Sequence, residues 1–173
     1  NTTDGRAPWG NLTVSGNTIY GTTRVGGLTG NGVIYKINTD GSGFTKLMDF
    51  NGVNGDQPWS VILSPSGNVL YGITVMGGDS LMGYMYKVNT NGSGYCKILD
   101  FHGKDNGSYP QSDLMLDGNT LYGTTSKGGG FGMGVIFKYD LSAFFPCDTL
   151  YDLTVNSGVG SGSYVSGTIV NIT

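Results

Sequence analysis

The stretch NTIYGTTRVGGLTGNGVIYK, residues 17–36, holds five glycines and admits two readings: a loop that cradles phosphate, or a bend between two strands. A phosphate loop needs Lys-Ser/Thr behind its glycines and then a helix whose N-terminal amides face the anion. Here the glycines run into Val33-Ile34-Tyr35, a strand-forming sequence, so Gly26-Gly27 read as positive-φ residues at a bend. The same words then return. GNTIYGTTRVGG (16–27), GNVLYGITVMGG (67–78) and GNTLYGTTSKGG (118–129) begin 51 residues apart. The register extends to GVIYKI (32–37), GYMYKV (83–88) and GVIFKY (134–139), to KLMDF (46–50) and KILDF (97–101), and, with one member displaced by a residue, to Pro8, Pro58 and Pro110.

A period near 50 residues implies one supersecondary unit per copy, unable to bury its faces until a neighbour stacks on it. The second copy parses into four strands, SVILS (60–64), VLYGIT (69–74), YMYKV (84–88) and YCKILDF (95–101), joined by turns carrying Pro65-Ser66-Gly67-Asn68, Gly77-Gly78 and Asn91-Gly92. The fold class expected is therefore all-β, with tandem four-stranded antiparallel blades in a β-propeller-like array of three, partial or completed by assembly. A β-solenoid is the alternative. The divisions expected are 1–7 as the end of a preceding repeat linker, 8–57, 58–109 and 110–152 as blades, the last with a degenerate final strand, and 153–173 as the start of a different β module.

Composition agrees. There are 32 glycines and 18 threonines against two alanines and no glutamate, which disfavours helix and suits pleated, turn-rich structure. Nine basic and twelve acidic residues leave a net charge of −3 with no basic stripe, which argues against nucleic acid as a partner. No run approaches the roughly 18 apolar residues of a membrane span, so membrane insertion is not expected. Two cysteines and one histidine leave little for a metal or haem, and no cofactor is expected.

The string LYGTT, then GG, then G-V-[IY]-[YF]-K, then D-G-S-G-F and L-x-x-F resembles the GloVer-type tandem repeat of secreted and cell-surface bacterial proteins, which has kelch-like, propeller-like features. The resemblance spans about residues 5–141. It implies a propeller architecture and an extracellular or cell-surface location, and it implies no particular activity. The tail LTVNSGVGSGSYVSGTIVNIT (153–173) resembles the opening of an internalin-type B repeat.

Candidate chemistry is sparse. His102 lies in a connector with no G-x-S-x-G nucleophile motif in the chain, and the recurring Asp49 and Asp100 read as turn or packing residues rather than an acid/base pair. The NTDGSG segment (38–43) alternates oxygen donors at Asn38, Asp40 and Ser42, but a hairpin turn is the preferred reading over a calcium loop, and no metal residues are assigned. Cross-strand cation–π pairs are expected between Tyr35 and Lys46 and between Tyr86 and Lys97. Ligand-binding candidates come from positions that vary between copies in equivalent loops, namely Arg24, Asn31, Asp79, Lys127 and Phe131, together with Trp9 and Trp59, which either stack on sugar rings or wedge between blades. Cys96 and Cys147, also 51 residues apart, are a candidate disulfide, and if the bridge exists the segment 140–152 is expected to depart from the blade pattern. Sequons at Asn1, Asn11, Asn91, Asn106 and Asn171 are candidate glycosylation sites.

Function is thus expected to be that of a secreted non-catalytic repeat module for adhesion or extracellular structure, with carbohydrate binding as a further expectation. The alternatives are a fragment of a propeller-type lyase or glycosidase and a self-assembling structural subunit. Other copies of the chain, missing blades of a longer chain, and glycans are the partners this reading implies.

Overall fold

Each LYGTT motif becomes the long second strand of a blade because its alternate residues suit opposite faces of a pleat. In the computed structural model, which describes residues 2–143, 150–153 and 162–165, blade 1 comprises β1 (Arg6–Pro8), β2 (Thr13–Ser15), β3 (Thr18–Val25), β4 (Val33–Asn38) and β5 (Thr45–Asp49). Blade 2 comprises β6 (Asp56–Leu63), β7 (Val69–Met76), β8 (Tyr84–Asn89) and β9 (Cys96–Asp100), and blade 3 β10 (Ser108–Pro110), β11 (Met115–Asp117), β12 (Thr120–Lys127) and β13 (Ile136–Asp140). Among the described residues every strand pairs antiparallel with its neighbours, and blade 2 is an uninterrupted meander in the order β6-β7-β8-β9. No α-helix occurs among the described residues.

The inner strand of blade 2 starts earlier than the sequence reading places it. Pairing of the innermost strand of blade 2 begins at Asp56 opposite Met76, ahead of the proline rather than at Ser60. The proline, which lacks an N–H, is absorbed by a register shift between Pro58 and Val61, and in blades 1 and 3 the same strand is split in two, β1/β2 and β10/β11. The first half of the expected outer strand of blade 3 (147–152) lies outside the described residues; among the described residues β14 (Leu150–Leu153) pairs with β15 (Gly162–Val165). That copy has Asp152 where Phe50 and Phe101 stand in the others, so it lacks the residue that anchors the outer strand of its siblings.

The glycine pairs behave as bend residues, with φ of 85° and 82° at Gly26-Gly27, 87° and 79° at Gly77-Gly78, and 86° and 74° at Gly128-Gly129. The NTDGSG turn is closed by its own side chains: Asp40 Oδ1 accepts from the Ser42 amide (2.9 Å) and hydroxyl (2.7 Å), which lowers the Asp40 pKa, and Asn91 and Ser93 repeat the arrangement.

The core lies between blades rather than within them. Tyr20, Ile34 and Phe50 of blade 1 pack on Val61, Leu70, Tyr86 and Val88 of blade 2, and Ile73, Met85 and Phe101 of blade 2 pack on Leu114, Leu121 and Phe137 of blade 3. Phe50 meets Tyr86 edge-on at 5.4 Å between ring centroids and Phe101 meets Phe137 at 5.1 Å. The inner strands converge far enough for the Asn11 amide of blade 1 to donate to Asp113 Oδ1 of blade 3 at 3.1 Å.

Candidate functional site

In an antiparallel four-stranded blade, the start of the first strand, the bend between the second and third, and the end of the fourth all lie at one end of the sheet. That topology gathers Trp9, Arg24, Asn31, Asp79, Lys127 and Phe131 on one face of the array, although their sequence positions span most of the chain.

Near the inner strands, Trp9 is 44% exposed and its indole meets that of Trp59 edge-on, centroids 5.5 Å apart. Trp59 is half-buried and packs on the core between blades 2 and 3, so it is a wedge; Trp9 is not. The Arg24 guanidinium lies 4.3 Å from the centroid of the Trp9 ring and is held there by two hydrogen bonds to Gln57 Oε1, 2.9 Å from Nε and 2.7 Å from Nη2. Gln57 was not singled out in the sequence, and its only signal there was its place before the recurring proline. The Asn31 carbonyl accepts from the Gln57 amide at 3.1 Å, so Asn31 serves as a joint between blades.

Over blade 2, Lys97 Nζ bridges Asp100 Oδ2 (2.7 Å) and Asp79 Oδ1 (3.0 Å). The hydrogen bond and charge of Lys97 hold the exposed Asp79 carboxyl below its ordinary pKa, so it stays ionised and does not act as a proton donor near neutral pH. Register places Tyr86 opposite Lys97 and Tyr35 opposite Lys46, as expected, but the ammonium groups go elsewhere. Lys46 binds Asp49 at 2.8 Å, and Lys97 lies 6.0 Å from the centroid of the Tyr84 ring, because Phe50 and Tyr95 already occupy the surroundings of Tyr86. Ser80 Oγ lies 3.0 Å from His102 Nδ1, a contact invisible in the sequence. Both residues are at the exposed surface, where water competes for hydroxyl and imidazole alike, which is unlike the desolvated setting of an activated nucleophile.

Over blade 3, Lys127 lies 5.5 Å from the centroid of the Tyr109 ring, while Phe131 is 94% exposed. The loop face therefore offers aromatic and cationic groups in blades 1 and 3 and an ion-paired cluster in blade 2. Among the described residues no group of three or more His, Cys, Asp or Glu is placed to hold a metal. Asn11 and Asn91 are exposed, whereas the Asn106 side chain is engaged, donating to the Asp100 carbonyl at 2.7 Å. No cysteine among the described residues is free; Cys147, and with it the expected Cys96–Cys147 pairing, lies outside them, as do Asn1 and Asn171.

The chain belongs to the Gloeobacter/Verrucomicrobia repeat family, whose model matches residues 1–173. No curated protein sequence matches it. Among solved structures it is similar to a chain of a nidogen/laminin complex (TM-score 0.59, 17% identity, 80% of this chain and 46% of that one). TolB from Acinetobacter baumannii is similar too (TM-score 0.56, 16% identity, 79% and 31%), as is the β-propeller domain of the Trilobed protease from Pyrococcus furiosus (TM-score 0.51, 10% identity, 80% and 40%). The chain spans less than half the length of each of these chains, and the likeness establishes a β-propeller-like fold.

Proposed function

We propose that this repeat module works by binding rather than catalysis, and that its loop face, centred on Trp9 and Arg24, takes a carbohydrate ligand in an adhesive or structural role outside the cell. The observation that carries the proposal is the half-exposed indole of Trp9 with a guanidinium fixed over one face of its ring by Gln57. An aromatic plane next to fixed hydrogen-bond donors is the arrangement that receives a sugar ring and its hydroxyls. The variation among Arg24, Val75 and Ser126 at one place in three otherwise repeating blades is how a scaffold carries changing chemistry. The family and the propeller-like neighbours support a repeat module of this general kind.

The test is titration of the full chain with a panel of neutral and acidic oligosaccharides, followed by tryptophan fluorescence and calorimetry. Saturable binding lost in Trp9→Ala and weakened in Arg24→Ala, with Lys127→Ala unaffected, is the expected result. No binding up to millimolar concentrations, or turnover of any glycan, overturns the proposal.

A further inference from the structure

The two interfaces between neighbouring blades are built from the same parts. In each, a phenylalanine ending the outer strand of one blade enters an aromatic site on the next: Phe50 sits against Tyr86 and Tyr95, at 5.4 and 6.3 Å between centroids, and Phe101 against Phe137 at 5.1 Å. In each, the residue before the recurring proline donates its N–H to the end of the preceding blade's bend, Gln57 to the Asn31 carbonyl (3.1 Å) and Tyr109 to that of Met82 (2.8 Å). The proline itself closes on a glycine of that bend, leaving no room for a side chain: a Cβ on Gly32 would lie 2.7 Å from Pro58 Cδ, and one on Gly83 2.8 Å from Pro110 Cδ.

Blade 1 carries the receiving half of the same interface. Tyr35 and Phe44 stack at 5.6 Å and 28°, close to the 5.6 Å and 32° of Tyr86 and Tyr95 in blade 2. Ala7, before Pro8, holds the left-handed φ of 55° that Gln57 (57°) and Tyr109 (54°) hold at the formed interfaces, a conformation that non-glycine residues seldom adopt. Thr2 to Gly5 lie against this blade as the connectors do against theirs: the Gly27 amide donates to the Thr2 carbonyl at 2.9 Å, as that of Gly129 does to Gly103. Yet Phe44 is 43% exposed, and Pro8, Thr23, Tyr35, Ile37 and Phe44 line an open groove of about 470 Å³ where blade 2 has its core.

We propose that this groove is the docking surface for a further repeat unit of the same kind, one whose outer strand ends in Asp-Phe and delivers that phenylalanine against Tyr35 and Phe44. A second copy of this chain does not fit the requirement. Its blade 3 presents the bare Ile136, but 51 residues beyond Phe101 its sequence has Asp152 in place of the phenylalanine. The groove is preorganised, so little ordering opposes docking. The inference is independent of the ligand proposed for the loop face.

The test places a second copy of residues 55–106 directly ahead of Gly5 in the full chain, aligning the junction with Gly107. The expected result is a single cooperative unfolding transition with its midpoint raised by about 5 °C or more. Phe→Ala at the added copy of Phe101 should cancel most of that gain, and should have no further effect once Ile37→Asp has closed the groove to it. An added unit that is digested by protease while the parent three blades survive, or a phenylalanine whose removal is indifferent to Ile37, overturns the proposal. Sedimentation of the unextended chain addresses the other occupant: a monomer is expected, and self-association abolished by Ile37→Asp would assign the groove to a second copy and overturn the proposal.

Discussion

Gly72 and Tyr86 stand opposite each other on β7 and β8, and a Cβ at Gly72 would collide with the Cζ and Oη of the tyrosine. Gly21 with Tyr35 and Gly123 with Phe137 repeat the relationship, so the glycine of the LYGTT motif is the floor on which an aromatic ring of the next strand lies. Gly72→Ala should therefore overpack a fully buried ring and cost about 1–3 kcal/mol, a fall of roughly 2–10 °C in the unfolding midpoint. Thermal denaturation followed by circular dichroism checks it; a midpoint within 1 °C of wild type would be inconsistent with the close contact.

The Tyr86 hydroxyl is buried without a hydrogen-bond partner, and blade 3 manages with Phe137 at the same position. Removing a buried, unpaired hydroxyl releases its desolvation cost. Tyr86→Phe should accordingly leave stability unchanged or raise it by about 1 kcal/mol, whereas a loss of 1 kcal/mol or more in chemical denaturation would show that the hydroxyl is paired.

Ile34, Met85 and Ile136 share one place in the repeat but are 0%, 0% and 84% exposed. Ile34→Ala should cost about 2–5 kcal/mol through the cavity it leaves, while Ile136→Ala should stay within about 0.5 kcal/mol of wild type. Equal losses at the two sites would mean that blade 3 has a covering partner in solution.

Tyr84 and Tyr95 share a hydrogen bond in the first interblade core. Burial, reduced in part by that bond, pushes the Tyr84 phenol up to about 12, and burial likewise raises Tyr95. A phenol whose folded pKa lies above its unfolded value of 10.0 stabilises the fold fully below pH 10 and loses that contribution as pH rises toward the folded value. Lys97 acts in the same direction: partial burial alone would lower it, but its hydrogen bonds to Asp100 and Asp79 raise it. Unfolding midpoints should thus decline from about pH 10 to 12, and the decline should be shallower in Tyr84→Phe.

Trp9 and Trp59 differ in exposure, and this can be read directly. Iodide should quench the fluorescence of Trp59→Phe, which retains Trp9, more efficiently than that of Trp9→Phe. The reverse order would place Trp9 in the wedge and remove the basis for its role on the loop face.

Much of the fold was legible in the residues. Three recurrences of LYG[TI]T and GG set the period, the turn residues marked the bends, and the pairing of Tyr35 with Lys46 and Tyr86 with Lys97 followed from the hairpin spacing. These features are local: strand alternation, positive φ and hairpin register depend on residues near one another in the chain. Tertiary structure decided the rest. Ile34 and Ile136 read alike in sequence, and only the presence of a neighbouring blade separates a core residue from an exposed one, because burial belongs to a pair of surfaces. Lys97 was free by register to lie on Tyr86, but Asp100, three residues along its own strand, and Asp79, brought in by the bend between β7 and β8, compete more strongly for an ammonium ion than a ring already covered by Phe50. Gln57 beside Arg24, and Ser80 beside His102, are neighbours made by the stacking of blades and the meeting of loops across gaps of 33 and 22 residues, a relation that no pattern within one repeat encodes.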